Sequence, residues 1–233
     1  MALYYREETY LTLLSERTHT IKELAKKLFI SEPTVRRDVA RMKKKNLVVC
    51  NHGTVSLSVS TPDTRIPAFI RDYENITAKE VMATKAVEYI RDGDVVMLDA
   101  STSAYALIPR LRSFKHLLVI TSGAKTSIAL SAMGIKNICT GGESINESFS
   151  FIGPNAERTL KNYNADVAFF SCRGLSENGV ATDNSIYENE IRKIMINQAK
   201  RKILLCDESK RGKTYLHTLC HVDELDAVIG EKE

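Results

Sequence analysis

The stretch Asp92-Gly93-Asp94-Val95-Val96-Met97-Leu98-Asp99-Ala100-Ser101-Thr102-Ser103 runs from a turn, through four apolar residues without a break, into a polar loop. A strand with one wet face alternates polar and apolar residues, whereas an unbroken run suits a strand covered on both faces of a parallel sheet. Just upstream, Met82, Ala83, Ala86, Val87 and Ile90 share one helical face. Similar apolar runs recur at Leu117 to Ile120, Ile135 to Cys139, Val167 to Phe170, Ile203 to Cys206 and Ala227 to Ile229. Helical stretches are expected between most of them, at 102–112, 123–133, 154–161 and 186–200. Strands alternating with helices predict an α/β fold, a mostly parallel, doubly wound sheet.

In such sheets ligands bind beyond the carboxyl ends of the strands. The residues expected there are Asp99-Ala100-Ser101-Thr102-Ser103, Thr121-Ser122-Gly123, Thr140-Gly141-Gly142, Ser171-Cys172-Arg173-Gly174 and Asp207-Glu208-Ser209-Lys210. Hydroxyls and backbone N–H groups at helix starts favour an anion, phosphate above all, and Arg173 and Lys210 supply countercharge. Each loop taken singly reads better as ordinary N-capping and turn chemistry; their convergence on one sheet edge points to a site. No P-loop, no G-x-G-x-x-G and no metal-spaced histidine pair is present, so neither cofactor nor metal is expected. His217 and His221 could share a metal only if helical, and their flanks, Thr218-Leu219-Cys220, suggest a loop or core role.

The N-terminal quarter differs. Residues 1–60 carry a net charge of +5, while the remainder carries −1 of the overall +4. A basic module on a near-neutral body suits a nucleic-acid grip. Tyr10, Leu11, Leu13 and Leu14 lie on a first polar helix. Thr20 precedes Ile21, Leu24, Ala25 and Leu28, the spacing of a second, short amphipathic helix. After the apolar turn Phe29-Ile30, Ser31 can cap a third helix with Pro33 in its first turn, and Asn46 suits a left-handed stop. Val35, Val39 and Met42 then face inward, which turns Thr34, Arg36, Arg37, Arg41 and Lys44 outward. This is a helix-turn-helix with a cationic second helix. Two β-prone runs around Asn51-His52-Gly53 read as a wing. The DNA-contacting set is therefore Ser31, Thr34, Arg36, Arg37, Arg41, Lys44, Asn51 and His52, since arginine reads guanine edges and cations neutralise phosphates. The bland alternative is a three-helix packing module with a charged surface. The expected organisation is a winged helix-turn-helix domain at 1–57, a linker at 58–75 with Pro62 and Pro67, and an α/β domain at 76–233.

The 233 residues are 43% hydrophobic and 27% charged, which argues against disorder. The longest apolar runs fall far short of the roughly 20 residues of a membrane span. The first residues turn acidic at Glu7-Glu8, where a signal peptide needs its apolar stretch. Five cysteines without a C-x-x-C pair suggest a reduced, cytoplasmic chain.

The run Leu24-Ala25-Lys26-Lys27-Leu28-Phe29-Ile30-Ser31-Glu32-Pro33-Thr34-Val35-Arg36-Arg37-Asp38-Val39 resembles the signature of the DeoR family of bacterial transcriptional regulators. His52-Gly53 resembles that family's wing, although Cys50 and Thr54 stand where Arg and Gly are usual. The resemblance continues through Arg71, Asn75 and Lys79, Asp92-Gly93-Asp94, Leu98 to Ser103, Gly153-Pro154, Glu188 with Met195, and Asp207 to Lys210. It implies a sensor domain similar in fold to ribose-5-phosphate isomerase, a phosphorylated sugar as effector, and a repressor of sugar genes. It also implies that Asp99, Ser101, Thr102 and Ser103 cradle phosphate, with Lys210 and Arg173 on the ligand's charged or hydroxyl groups. Ser122, Gly141, Gly142 and Glu188 complete the expected effector set. The competing reading is a cytosolic phosphosugar isomerase with an accessory module, using Asp99 or Glu188 as general base. An RNA-binding role is disfavoured, because no aromatic stacking surface accompanies the cations. Double-stranded DNA, a sugar phosphate and further copies of the chain, in a dimer or tetramer, are the expected partners.

Overall fold

The computed structural model describes residues 6–7, 9–11, 13–14, 17–45, 47–58, 71, 74–145 and 148–232. The expected helix stop at Asn46 and most of the expected linker (59–70, 72 and 73) lie outside the described residues. The chain divides into two compact units, Met1–Asn75 and Ile76–Glu233.

In the first unit the described residues between 6 and 14 are helical, and Tyr10, Leu11 and Leu14 are buried. Then follow β1 (His19–Thr20), α1 (Ile21–Leu28), α2 (Glu32–Lys44), β2 (Val48–Asn51) and β3 (Thr54–Leu57). The three strands form one antiparallel sheet in the order β1-β3-β2. α1 starts at a capping box: the Thr20 hydroxyl accepts from Glu23 N–H, and the Glu23 carboxylate accepts from Thr20 N–H at 2.7 Å. That backbone bond, the Thr20 hydroxyl and Arg17 hold the Glu23 carboxyl down to about 2. Ile21, Leu24, Val35, Val39, Met42, Leu47 and Val55 close the core between helices and sheet.

Ser31 occupies the N-cap position of α2, yet its side chain makes no cap bond to the helix. Its hydroxyl is engaged instead with the Thr34 hydroxyl at 2.9 Å. The turn between the helices places Phe29 in the left-handed region (φ 54°) with 94% of its surface exposed. A residue with a Cβ is penalised there by about 1–2 kcal/mol, and the exposed ring regains little through burial. Phe29→Gly is therefore expected to stabilise the first unit by about 1 kcal/mol, after allowing for glycine's greater chain entropy. Urea denaturation monitored by circular dichroism checks this.

His19 is fully buried in β1, with its Nε2 3.1 Å from the Leu13 carbonyl. Burial first, then the Arg17 and Lys27 cations, hold its imidazole below the ordinary value. The unfolded chain takes up this proton near pH 6.5 and the folded chain only at lower pH. Stability of this unit is thus expected to fall as pH drops below about 6.5 and to stop falling below the folded value. His19→Gln should flatten that dependence, as read from urea midpoints across the range.

The second unit is built on six parallel strands: β4 (Val95–Leu98), β5 (Leu118–Thr121), β6 (Asn137–Cys139), β9 (Ala165–Ser171), β12 (Ala199–Leu205) and β14 (Ala227–Ile229). Their order is β14-β12-β9-β4-β5-β6, and every pairing is parallel. Alternate residues enter two cores. Val96, Leu98, Val119, Val167, Phe169, Ile203 and Leu205 pack with Met82, Ala83 and Ala86 of α3 (Ile76–Ala86) and with Leu107, Ile108 and Leu111. Met97, Ile120 and Ala168 face the other way. They meet Ala156 and Leu160 of α7 (Gly153–Lys161) and Ile191 and Met195 of α8 (Ile186–Gln198). Both faces are dry, which is why these strands read as unbroken apolar runs.

Several expected elements are shorter than the sequence suggests. The stretch 102–112 is broken into α4 (Thr102–Tyr105) and α5 (Ile108–Leu111), because Pro109 has no N–H to donate to the preceding turn. α6 spans Ala124–Ala132. α8 ends at Gln198 rather than 200, where Ala199 pairs with Ala165 and lengthens β12 to seven residues. Two smaller sheets were not expected: the hairpin of β7 (Glu143–Ile145) and β8 (Ser150–Ile152), and an antiparallel sheet of β10 (Gly174–Leu175), β11 (Val180–Asp183) and β13 (His217–His221). Among the described residues no helix is long and apolar enough to cross a membrane.

Candidate DNA-binding face and strand-end site

The inward stripe of α2 is Val35, Val39 and Met42 with Asp38. Asp38 faces Arg6 at 3.7 Å, and burial followed by the Asp38 charge pushes the Tyr10 hydroxyl up. The third residue of the Arg-Arg-Asp run is therefore turned into the domain. Its neighbours Arg36 and Arg37 are exposed, as is Lys44, while Thr34 and Arg41 are half-buried. Lys43, absent from the expected contact set, is exposed on the same helix. Among the described residues, Arg36's one ion pair is a 3.8 Å contact with Glu32. Exposed pairs of this kind contribute about 0–1 kcal/mol and exchange readily for a phosphate. The hairpin tip has His52 at φ 49° and Gly53 at φ 79°, the pair of positive values that a two-residue turn matched to the strand twist requires. Asn51 and His52 are exposed there. Five outward cations or amides on one helix and a hairpin make a surface that can neutralise phosphates and reach base edges.

In the second unit, sheet order reverses between β4 and β9: the strands on one side follow from β4, those on the other from β9. This is the topological switch point, where the loops leaving adjacent strands part. Asp99 leaves β4 there, buried. Its Oδ1 accepts from Ser101 N–H at 3.1 Å, and its Oδ2 from Ser171 N–H at 3.2 Å and Arg192 Nε at 2.9 Å. Arg192 reaches from α8 and also donates to Asp183 Oδ2 at 2.8 Å and Asn189 Oδ1 at 3.3 Å. Burial opposes its charge, but Asp183, Asp99 and Glu188 together outweigh that and raise its pKa. For Asp183, likewise, burial is outweighed by Arg192 and by the N–H groups of Asn184 and Ser185, which leaves it below its usual range.

Lys210, at the end of β12's loop, brings its Nζ 2.8 Å from Ser171 Oγ, 3.4 Å from Ser103 Oγ and 3.2 Å from Asp207 Oδ2. Ser171 Oγ in turn donates to the Leu205 carbonyl at 2.6 Å. Asp207 is buried, which raises its pKa, yet Lys210, the Ser209 bonds and Lys79 bring it below normal. Ser101 caps α4 by accepting from Ala104 N–H, and Thr102 and Ser103 follow in its first turn. Lys210 thus joins Ser171 to Ser103, and Asp99 joins the Ser171 N–H to that of Ser101.

The other expected residues sit elsewhere. Ser122, after β5, is buried, and its hydroxyl has no hydrogen-bond partner among the described residues. Gly141 and Gly142 both have positive φ, and a Cβ on Gly142 would lie 2.5 Å from the Ile152 carbonyl oxygen. Arg173 stacks over Tyr215, with its guanidinium carbon 5.3 Å from the ring centre. Glu188 lies in the first turn of α8, whose N-cap is the Ser185 hydroxyl. His217 and His221 lie on the strand β13, not on a helix, so the i, i+4 geometry for a shared metal does not form; among the described residues no cluster could hold a metal ion.

Arg192, Asp183, Ser171 and Asp207 lie outside the expected effector set. No local signal marks Arg192: its same-face neighbours are Glu188, Asn189, Met195 and Ile196, a mixed set.

Residues 74–232 match the family model described as "DeoR C terminal sensor domain", and residues 6–61 match "DeoR-like helix-turn-helix domain". The chain is 29% identical to the HTH-type transcriptional regulator GolR of Listeria innocua over 99% of its own length and 91% of that protein's. It is 27% identical to the L-fucose operon activator of Haemophilus influenzae, covering 98% of this chain and 92% of that one. Among solved structures, eIF2B delta of Chaetomium thermophilum superposes with a TM-score of 0.53 at 18% identity, covering 68% of this chain and 57% of that one. This is a likeness of fold alone.

Proposed function

The chain belongs to the DeoR family of transcriptional regulators, and from that premise we propose that α2 and the β2–β3 wing grip an operator whose occupancy answers to a phosphorylated sugar at the switch point of the sheet. As a family member it is a DNA-binding regulator, not an enzyme. The observation that carries the effector reading is the convergence of Lys210 Nζ, Ser171 Oγ and Ser103 Oγ, with Ser101 at the start of α4. An ammonium with two hydroxyls beside a helix start suits a phosphate monoester better than a neutral ligand. The name of the Haemophilus relative, an L-fucose operon activator, supports a sugar-derived effector.

In this reading Asp99 shapes the loop and does not touch phosphate. Its two oxygens already accept from Ser101, Ser171 and Arg192, and a carboxylate repels an anion. Arg173, Ser122, Gly141, Gly142 and Glu188 sit apart from that convergence and have no assigned contact with the phosphate in this reading. Ser31, Thr34, Arg36, Arg37, Arg41, Lys44, Asn51 and His52 carry the DNA contacts, with Lys43 added. Two copies reading repeated half-sites make up the DNA-bound species.

A panel of aldose and ketose phosphates tests this by thermal shift together with operator anisotropy. A true effector at about 100 times its Kd adds roughly 2.7 kcal/mol to stability and changes operator occupancy; Lys210→Met removes both responses. Turnover of any panel member at about 1 per second or faster would instead make the protein an isomerase.

A further inference from the structure

Cys172 and Cys206 directly follow Ser171 and Leu205, which face each other in the parallel ladder between β9 and β12. Neighbouring strands therefore deliver the two thiols side by side to the same end of the sheet, where the Cys206 thiol donates to the Asp207 carbonyl at 3.8 Å. Both are buried in one apolar cluster with Phe170, Leu175 and Leu204. Adjacent strands run about 4.8 Å apart, within the 4.4–6.8 Å range of Cα separations that a disulfide spans. The strands need not change register to join. The pair is also polarised: the neighbouring Cys172 thiol, then Lys210 and Arg211, favour charge on Cys206 against its burial, whereas the Cys206 side and burial push Cys172 up. Such asymmetry gives one attacking sulfur and one resolving sulfur.

We propose that Cys172 and Cys206 form a two-electron redox centre that hydrogen peroxide, small enough to reach a buried thiol, converts to a disulfide. The Cys206 thiolate attacks one peroxide oxygen, the O–O bond breaks, and the departing hydroxide takes a proton to become water, leaving Cys206 as the sulfenic acid. The Cys172 sulfur then attacks the Cys206 sulfur; the S–S bond forms, and hydroxide leaves with the Cys172 proton as a second water. The two thiols lose two electrons and the peroxide gains them. The cysteines flank Ser171 and Asp207, both of which hold Lys210, so oxidation acts on the same ammonium as the proposed effector while requiring none.

The test uses the full chain treated with hydrogen peroxide, then denatured, alkylated and peptide-mapped by mass spectrometry. The expected result is a Cys172–Cys206 cross-linked peptide, lighter by two hydrogens, that dithiothreitol reverses. Cys220→Ser, altering a third cysteine of the same cluster, retains the cross-link, and Cys206→Ser abolishes it. The proposal is overturned if both residues stay fully alkylatable at a dose that oxidises the half-buried Cys50 and Cys139, or if the captured bond involves Cys220. The wild-type map alone decides between these outcomes should Cys206→Ser fail to fold.

Discussion

Replacing Arg192 by methionine is expected to cost about 3–5 kcal/mol of stability, the penalty for leaving buried carboxylates without their cation. Arg192 sits between Asp99 and Asp183 at 2.9 and 2.8 Å, all three out of solvent. Removing the guanidinium leaves two carboxyl groups that cannot both stay ionised in that environment. The loss should shrink when Asp99→Asn and Asp183→Asn accompany Arg192→Met, because the triple variant buries no unpaired charge. Urea denaturation of the single and triple variants is the measurement. A triple variant as unstable as the single one would show that the arginine acts through packing of its stem and not through charge.

The double variant Arg36→Ala/Arg37→Ala is expected to lose operator affinity with little change in stability, since both side chains are exposed. Where each arginine reads a base the cost is about 1–3 kcal/mol apiece, so the pair approaches the whole margin between specific and non-specific binding, which starts at about 4 kcal/mol. Fluorescence anisotropy at fixed salt, on a duplex selected by the wild-type protein, reads the change. Unaltered affinity would remove α2 from the role of recognition helix.

The parallel sheet was legible because burial on both faces writes the same signal in the inner strands β12, β9, β4 and β5, and Val95 to Leu98 carries it most plainly; the edge strand β6, half-buried with Asn137 inside it, carries it least. The helix-turn-helix was legible because Val35, Val39 and Met42 leave the arginines nowhere to point but out. The third sheet was not: β10 has two residues, and His217-Thr218-Leu219-Cys220-His221 has no clean alternation. These strands exist because β11 and β13 find each other across the chain. Arg192 escaped for a related reason. Its partners lie 93 and 9 residues away, and a lone arginine on a mixed helix carries no local mark of a buried ion pair. Loop convergence, in contrast, depended only on strand direction; of the strand-end residues, Ser103 and Lys210 come within reach of Ser171 Oγ.

The central neighbours β4 and β9 are paired although Val95 and Asp166 are 71 positions apart. During synthesis β4, β5 and β6 leave the ribosome first, and the inner edge of β4 waits for a partner several seconds from being made, at about 5–20 residues per second. Closing a loop of that length costs roughly 4 kcal/mol of chain entropy, recovered only once the β4–β9 contacts form. Val96 and Leu98 thus spend that interval as an open, sticky border, and slowing translation between codons 100 and 165 should raise the share of nascent chains held by chaperones.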